Sequence, residues 1–541
     1  MKRTLFILCL LLPAILGWAQ YEKQWGIRQK GYQNMIINKI STLSTGDYVM
    51  FGSFSDSANF SANKLYSSGG TDILLLQIDE DGNTKQAVSF GTTDDDKPVG
   101  MMTKENKLFV LSSSKSQLSL QSLDEDLKQQ SLLEFPIEGK VNADMLIAKT
   151  DRILIGGSLK GKLTIGNLNI ESMREEHAFL VAITKSGEPI STWQSAGTGA
   201  HRLHAITNDA DGGHTLVVNL GKGTFEAPDL QPTIMKKDGI LLLKLDSMMR
   251  TLWIQTIECT GFIEATSIVQ LSDGNCMAIN FGGTLTFGEK SFTATSQLSS
   301  LLIKLKQNGQ PLWATEINDD DYCRVLDLVT SKQMVICTGY HYGQLNIGNE
   351  TFSKANETNT FLLVFNNKGL LESHIDIDCI EPNWGRTLTA DSVSIVVGGM
   401  SQESFASDKS GLVSQLRIEG IFARKYNRQE NKNDNSENNM QEHSNNGILD
   451  AQNSDDHAKT DLSAVTLQTY PNPVQSILYW SINEANDWQL MFYDIEGRLL
   501  AQQQYKNTNS GSLDLIHCIA GVYLLKLSAN NVTHQCLIIK N

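Results

Sequence analysis

The chain is built from repeats, and this feature restricts its fold more than any other. A short apolar strand recurs, for example at residues 240–245 and 301–305, and each copy is followed by a polar turn and a second strand. In three copies the second strand carries a tryptophan at intervals of 60 residues: Trp193, Trp253 and Trp313. A fixed period of this length is typical of arrays in which each repeat buries its apolar faces against its neighbours.

A different strand precedes each of these segments, and counting such strands gives seven units. They cover residues 48–54, 108–113, 153–159, 215–220, 276–281, 334–339 and 393–400. A sheet of about four strands cannot bury both its faces alone, whereas sheets stacked radially in a ring bury them all. The sequence therefore predicts an all-β fold whose main domain, residues 20–421, is a seven-bladed β-propeller. An eight-bladed ring or an irregular array of stacked sheets is the alternative.

The seventh unit, whose third strand is predicted at residues 412–418, lacks a clear fourth strand. Residues 23–28, which include Trp25 and Gly26, match the tryptophan-containing strand of the other units. We expect this N-terminal strand to close the last blade. In the competing arrangement, residues 422–426 form its last strand. In their glycine, aspartate and tryptophan positions, the units resemble the repeats of bacterial β-propeller proteins.

The last part of the chain has a different pattern. It begins at Tyr470-Pro471-Asn472-Pro473, where the prolines fix φ and hold the chain extended. Short strands follow, with polar turns at residues 494–497 and 528–531, and these predict the hairpins of a small Ig-like β-sandwich. The motif positions are Tyr470, Pro471, Asn472, Pro473, Asp494, Gly497, Gly521, Tyr523 and Lys540.

In this order the motifs resemble the type A C-terminal sorting domain (Por secretion tail) of the Bacteroidetes type IX secretion system, here at residues 463–541. The resemblance implies export through the periplasm to the outer cell surface or the medium. It also implies two partners, the outer-membrane translocon and a sortase-like protease that removes the domain.

The N-terminus and the linker composition agree with such a route. Lys2 and Arg3 precede a short apolar run that ends in small residues, which predicts a signal peptide at residues 1–19 cleaved between Ala19 and Gln20. An Asn-rich tract almost without aromatic residues predicts a disordered linker at residues 422–462.

Several classes of function lack support in the sequence. The net charge of −15 argues against nucleic acid as a partner. We find no nucleophile elbow, zinc-protease motif, phosphate loop or dinucleotide fingerprint. Seven cysteines beyond the signal peptide have irregular spacing, so neither a disulfide framework nor a zinc site is expected, although Cys518 and Cys536 could form a local bridge. We therefore expect no cofactor and no metal.

The links between blades are the best candidates for a binding site, because in a closed propeller they gather on one face. Aromatic rings beside carboxylates suit sugars, which need an apolar face to stack on and acceptors for their hydroxyls. The acidic runs at residues 94–96 and 318–321 occupy equivalent positions, which favours turn capping over a metal site. The candidate ligand-binding residues are Tyr32, Asp95, His201, Phe262, Asp319, Tyr322 and Trp384.

Together these features predict a secreted or cell-surface cargo whose propeller binds or adheres to a glycan or protein ligand without catalysis. An extracellular glycan-degrading enzyme on the same scaffold is the first alternative. A structural component of the cell-surface apparatus is the second.

Overall fold

Short apolar segments separated by polar turns fold as antiparallel strands throughout the chain. The computed structural model describes residues 21–30, 35–60, 63–227, 230–377, 383–403, 418–428, 467–470, 474, 476–494, 499–515, 518, 521–529 and 532–540. In this part of the chain the elements are strands joined by turns. No helix there is long and apolar enough to cross a membrane.

The first four units are four-stranded antiparallel sheets, which we call blades and number in chain order. The strands of each blade are given from the innermost outward. Blade 1 consists of Ile36–Thr42, Tyr48–Phe60, Asn63–Ile78 and Thr84–Phe90. Blade 2 consists of Lys97–Lys104, Lys107–Ser113, Gln117–Leu123 and the first part of Gln129–Ala148. Blade 3 takes the rest of that strand, Ile153–Ile165, Leu168–Ile183 and Pro189–Gln194. Blade 4 consists of His201–Asn208, His214–Leu220, Gly239–Leu245 and Thr251–Cys259.

The remaining units repeat this arrangement. Blade 5 consists of Ile263–Leu271, Gly274–Phe281, Ser299–Leu305 and Pro311–Asn318. Blade 6 consists of Tyr322–Ser331, Met334–Ile347, Glu350–Phe365 and Leu371–Ile377. Blade 7 consists of Asn383–Ala390, Ser394–Glu403, Ile418–Arg428 and Tyr21–Lys30. Short strands lie outside the blades: Ala196–Thr198 in the link between blades 3 and 4, and four more in the excursions, the segments between the second and third strands, of blades 4 and 5. These four are Gly223–Glu226, Thr233–Met235, Thr284–Phe287 and Lys290–Thr293.

The seven described blades form a closed ring. Each innermost strand contacts the innermost strand of the next blade, and Asn383–Ala390 of blade 7 contacts Ile36–Thr42 of blade 1. A separate apolar cluster fills every interface between neighbouring blades, including the interface between blades 7 and 1. These features are those of a β-propeller.

The buried strands of the blades are nearly continuous apolar runs in the sequence, and the packing of the sheets explains why. Successive residues of a strand point to opposite faces of the sheet. In blade 1, Val49 and Phe51 pack towards blade 2, whereas Tyr48 and Met50 pack towards blade 7. Both faces of each sheet are covered, so both sets of positions must be apolar.

The N-terminal strand closes the last blade, as the sequence predicts. Tyr21–Lys30 pairs antiparallel with Ile418–Arg428 and is the outermost strand of blade 7. Residues 422–426 therefore lie in its third strand, not its last. Of the third strand predicted at residues 412–418, only Ile418 belongs to the observed strand, and residues 412–417 lie outside the described residues. Because Ile418–Arg428 crosses the predicted domain boundary at residue 422, the propeller extends to at least Arg428.

The tryptophan repeat reflects a contact between neighbouring blades. Trp313, on the outer strand of blade 5, packs on Gly369 in a turn of blade 6, and its indole N–H donates to the Asn367 carbonyl at 3.0 Å. The Asn366 side chain caps this turn by accepting from two backbone N–H groups. Gly369 has φ of +79° and no room for a Cβ atom beside the indole, so glycine is required there. Two equivalent contacts join Trp25 to Gly82 and Trp253 to Gly309.

We expect Trp313→Ala to lower the free energy of unfolding by about 3 kcal/mol, because the half-buried indole leaves a cavity between two blades. Trp313→Phe should lose about 1 kcal/mol, mainly the bond to Asn367. Denaturant unfolding measures both values. Leu312→Ala is the matched control, since Leu312 lies on the same strand with 45% of its surface exposed. Equal losses at positions 312 and 313 would contradict the packing role.

The C-terminal domain has its own sheet and core. Its strands are Leu467–Tyr470, Ile477–Asp494, Leu499–Asp514, Gly521–Ala529 and Val532–Lys540. The long strand Ile477–Asp494 pairs with three of the others and has register shifts at its middle. Trp480, Leu490 and Phe492 lie at the centre of a buried apolar cluster. Both expected hairpins are present, because Tyr493 pairs with Leu499 and Ala529 pairs with Val532.

Candidate functional site

One face of the propeller carries the links between blades together with the excursions between second and third strands. Both kinds of segment lie on the same face because neighbouring strands of a blade run in opposite directions. We call it the loop face. The sequence prediction placed its candidate binding residues in the links on this face.

An aromatic cluster lies on the loop face across blades 5, 6 and 7, and we call it the rim cluster. Tyr322 is stacked on Tyr342, with ring centroids 5.9 Å apart, and meets Tyr340 edge-on at 6.0 Å. Phe262, in the link that leads into blade 5, and Trp384 of blade 7 pack against this cluster. The structure therefore brings together three of the predicted residues: Phe262, Tyr322 and Trp384.

Tyr340 and Tyr342 belong to the same cluster, and sequence reasoning missed them. They lie on the second strand of blade 6, directly opposite Arg324 and Tyr322 of the first strand. Their spacing of two residues puts both rings on one face of the sheet. Within the cluster Tyr322 and Tyr340 are buried, whereas Phe262, Tyr342 and Trp384 are half-buried and can reach a ligand.

His201 lies outside the rim cluster and is buried, so its predicted exposure to a ligand is wrong. Its Nδ1 is 3.0 Å from Ser195 Oγ, its Nε2 is 3.3 Å from the Thr198 carbonyl, and its ring stacks on His177. Burial, followed by the neighbouring His177, lowers the pKa of His201 to about 4. The imidazole is therefore neutral at physiological pH and acts as a hydrogen-bonding packing residue.

The predicted acidic residues serve the local backbone. Asp95 is exposed, and its Oδ1 accepts a hydrogen bond of 2.9 Å from the backbone N–H of Thr71. Asp319 is buried and accepts one of 2.7 Å from the backbone N–H of Asp321. Both contacts are of the capping type that the repeat position predicts. Tyr32 lies outside the described residues.

Asp319 also belongs to a buried ionic cluster beneath the rim. Its Oδ2 is 3.0 Å from His341 Nδ1, and Asp376 Oδ1 lies 3.7 Å from His341 Nε2, too far for a hydrogen bond. His374 approaches Asp376 at 2.9 Å. Burial lowers the pKa of His341, but the two carboxylates outweigh it and raise the pKa to about 9.

We expect His341 to make stability depend on pH in the alkaline range. Its pKa is higher in the folded chain than in the unfolded chain, so its contribution is complete below about pH 6.5 and is lost as the pH rises towards 9. The loss should be roughly 3 kcal/mol of unfolding free energy. Denaturant unfolding between pH 6 and pH 10 measures it, and His341→Gln should remove this component. A variant with the wild-type pH profile would contradict the assignment.

The described cysteines are unpaired, and no described residues form a metal-binding group. Cys518 and Cys536, which the sequence left open as a bridge, are both free. Cys379 lies outside the described residues. In the described ranges, no three or more histidine, cysteine or acidic side chains are grouped so as to hold a metal ion.

The predicted sorting motif is brought together in the C-terminal domain. Asp494 is paired with Tyr523 on the neighbouring strand, and Gly521 is paired with Lys540. The Tyr523 ring stacks on Phe492 at 5.0 Å, and burial raises its pKa to about 12. Tyr470 is the last residue of the strand that enters the domain. Pro471, Asn472, Pro473, Gly497, Ala19 and Gln20 lie outside the described residues.

Comparison with known families agrees with this motif. Residues 468–541 match the family model described as a secretion system C-terminal sorting domain. These residues are a type IX sorting domain. A sorting domain of this family marks its chain for export to the cell surface or the medium, and it engages the type IX machinery.

The body of the chain has only distant likenesses. No curated protein matches the chain. A solved structure titled "Structure of Dos1 propeller" is 8% identical, with 75% of this chain and 95% of that one covered and a TM-score of 0.37. The "AfRom2 CNH domain" is 11% identical, with 75% and 98% covered and a TM-score of 0.33. Both TM-scores are below 0.5, and the propeller is defined by the strand pairing within this chain.

The sorting domain contacts the rim cluster. Leu524, on the strand Gly521–Ala529, packs against the cluster beside its aromatic side chains. The charge of Asp321, in the link between blades 5 and 6, acts on the Cys536 thiol of the sorting domain, although burial is the larger cause of the raised pKa of that thiol. In the full chain, part of the rim is therefore covered by the sorting domain.

Proposed function

We propose that the chain is a cargo of a Bacteroidetes type IX system and that its propeller binds a ligand without transforming it. The rim cluster carries this proposal. Phe262, Tyr342 and Trp384 are half-buried on the loop face, and their rings are supported from below by the buried Tyr322 and Tyr340. Rigid aromatic surfaces beside polar loop groups are suited to stacking on sugars and to anchoring protein ligands.

The proposed route has three steps. A signal peptide directs the chain to the periplasm and is removed after Ala19. The outer-membrane translocon then recognises the sorting domain, and a sortase-like protease cleaves between Arg428 and Tyr470. The delivered part is the propeller, which ends at the surface or in the medium.

A glycan-degrading enzyme is the second candidate, because the carboxylates Asp319 and Asp376 flank His341. Glycoside hydrolysis generally uses two carboxyl groups that face the substrate, roughly 5–9.5 Å apart. The Asp319 side chain has no exposed surface, and its oxygens are occupied by His341 and by the backbone of Asp321. This arrangement favours a structural role for Asp319 over a catalytic one.

Glycan-array binding with the full chain tests the proposal. We expect selective binding that is lost in Trp384→Ala and kept in Leu252→Ala, whose side chain lies on the outer strand of blade 4. Retention of an intact sorting domain in the outer membrane would favour a structural component of the surface apparatus instead. Release of shortened sugars from a bound glycan would favour the enzyme.

A further inference from the structure

The sorting domain lies against the surface that we propose to bind ligand. Leu524, on its strand Gly521–Ala529, packs on the rim cluster. The half-buried members of that cluster, Phe262, Tyr342 and Trp384, are the side chains that a ligand would contact. A ligand and the sorting domain would therefore compete for one surface.

Leu524 does not belong to the core of the sorting domain. Its neighbours Tyr523 and Leu525 point into that core. Because successive residues of a strand point to opposite faces of the sheet, Leu524 lies on the outer face. Its cross-strand partner there is Tyr493. A substitution of Leu524 therefore changes the contact with the rim and leaves the core of the domain as it is.

The outer face around Leu524 is buried. Met491 and Tyr493 lie on it with 1% and 5% of their surface exposed, although neither belongs to the apolar core of the domain. Lys526, the cross-strand partner of Met491, is buried on the same face. The outer face of an antiparallel sheet is commonly in water, and a lysine is rarely buried there. The burial of this face indicates an interface and not the touch of a single side chain.

Charges on the propeller side agree with this contact. Asp321 lies in the link between blades 5 and 6, and burial, followed by the charge of Asp319, raises its pKa to about 6. Burial, and to a smaller extent the charge of Asp321, raises the pKa of the Cys536 thiol to about 12. Because such an effect weakens with distance, the strand Val532–Lys540 that carries Cys536 also lies close to this link.

We propose that the sorting domain is an intramolecular cap on the rim cluster, which weakens ligand binding until the domain is removed. The inference rests on the proposed binding function and names the regulation of its site. The apparent affinity falls in proportion to the fraction of molecules in which the rim is open. A cap docked in about nine-tenths of the molecules weakens binding about tenfold without abolishing it.

The chain between the two domains explains how cleavage releases the cap. Arg428 ends a strand of blade 7 and Leu467 begins the first described strand of the sorting domain, so residues 429–466 join the two. A linked domain meets its docking surface at an effective concentration of roughly 1 mM, which keeps even a small contact occupied. Cutting the linker removes this advantage, and the separated sorting domain leaves the rim.

Hydroxyl-radical footprinting with mass spectrometry measures the cap without any ligand. A full chain with a specific protease site inserted into residues 429–466 is compared before and after cleavage. We expect the rim side chains Phe262, Tyr342 and Trp384 to be oxidised at least about twofold faster after cleavage, because the open fraction rises towards one. Tyr66 of blade 1, which is 64% exposed, is the internal control and should be oxidised at an unchanged rate.

Variants locate the contact in the uncleaved chain. Leu524→Glu should open the rim, because it would bury a carboxylate against aromatic rings. Leu500→Glu is the matched control, since Leu500 lies in the same domain with 46% of its surface exposed, and it should keep the wild-type footprint. If Leu524→Glu does not fold, Leu524→Ala should change the footprint in the same direction by less. The comparison before and after cleavage needs no variant.

Binding is measured with the glycan that the array retains most strongly. Calorimetric titration should show that the cleaved sample binds this glycan about tenfold more tightly than the uncleaved chain. The uncleaved Leu524→Glu variant should bind it as tightly as the cleaved wild type, whereas Leu500→Glu should bind it like the uncleaved wild type.

The outcomes separate this inference from the function on which it rests. Equal footprints and equal affinities before and after cleavage would overturn the cap and keep the rim as a binding site. Tighter binding after cleavage that Leu524→Glu does not reproduce would overturn the role of the strand Gly521–Ala529. With an empty glycan array, faster oxidation of the rim after cleavage would keep the cap and overturn the proposed function. An unchanged footprint with an empty array would overturn both.

Discussion

Deletion of residues 468–541 is expected to leave a folded propeller inside the cell and to reduce its extracellular amount to background. The sorting domain has its own buried core around Trp480 and Leu490, and every blade-to-blade interface of the ring is complete without it. Its contact with the rim cluster is made through Leu524, which is half-buried. The deletion therefore removes the export signal and not a part on which the propeller depends for stability.

Cell fractionation with an antibody against the propeller measures this effect. The deleted chain should accumulate in the periplasm, and thermal unfolding of the purified protein should show a transition close to that of the full chain. Leu524→Ala is the matched control, because it removes the rim contact while keeping the sorting domain, and it should be exported normally. Extracellular propeller in cells that express only the deleted chain would contradict the role of the sorting domain.

The repeat was predictable from sequence because its contacts are periodic. Trp313 packs on a turn of the next blade, and the same contact recurs at other blades, so the spacing of tryptophans follows the spacing of blades. The motif of the sorting domain was also predictable, because its residues recur in a set order along the sequence. In the fold, Asp494 is paired with Tyr523 and Gly521 with Lys540 on neighbouring strands.

The burial of His201 and the end of the propeller could not be predicted, because they depend on contacts that leave no periodic pattern in the sequence. Nothing in the sequence around His201 indicates that Ser195 and His177 enclose it, so its burial could not be foreseen. The propeller was expected to end at residue 421, but the strand Ile418–Arg428 continues beyond it into a polar, Asn-rich tract. Its polar residues are tolerated because the ladder with Tyr21–Lys30 is formed by backbone groups, whatever the side chains.

The rim cluster was half predictable. Phe262, Tyr322 and Trp384 were found because they lie in or next to the links between blades, which share one face. Tyr340 and Tyr342 lie within a strand, where an aromatic residue usually signals core packing. Their position opposite Arg324 and Tyr322 depends on the strand register, which is fixed by pairing and not by local sequence.

Deletion of Tyr21–Lys30 is expected to have the largest effect on stability, because this strand closes the ring. It supplies the outer ladder of blade 7, and its Trp25 packs on Gly82 and donates to the Glu80 carbonyl of blade 1 at 2.7 Å. Without it, Ile418–Arg428 becomes an unpaired edge that can pair with other chains. Loss of the Trp25 side chain alone should lower the unfolding free energy by about 3 kcal/mol.

The stability of a domain is only about 5–15 kcal/mol, so the deleted chain should lose its cooperative thermal transition and should aggregate. Circular dichroism and size-exclusion chromatography measure both effects. Lys23→Ala with Gln24→Ala is the matched control, since both side chains are exposed while their backbone ladder is kept, and it should unfold like the wild type. A synthetic peptide of residues 21–30, added during refolding, should restore part of the transition. A deleted chain that unfolds at the wild-type temperature would show that the ring does not need its N-terminal strand. Contacts between the innermost strands of blades 7 and 1 would then be sufficient to close the ring.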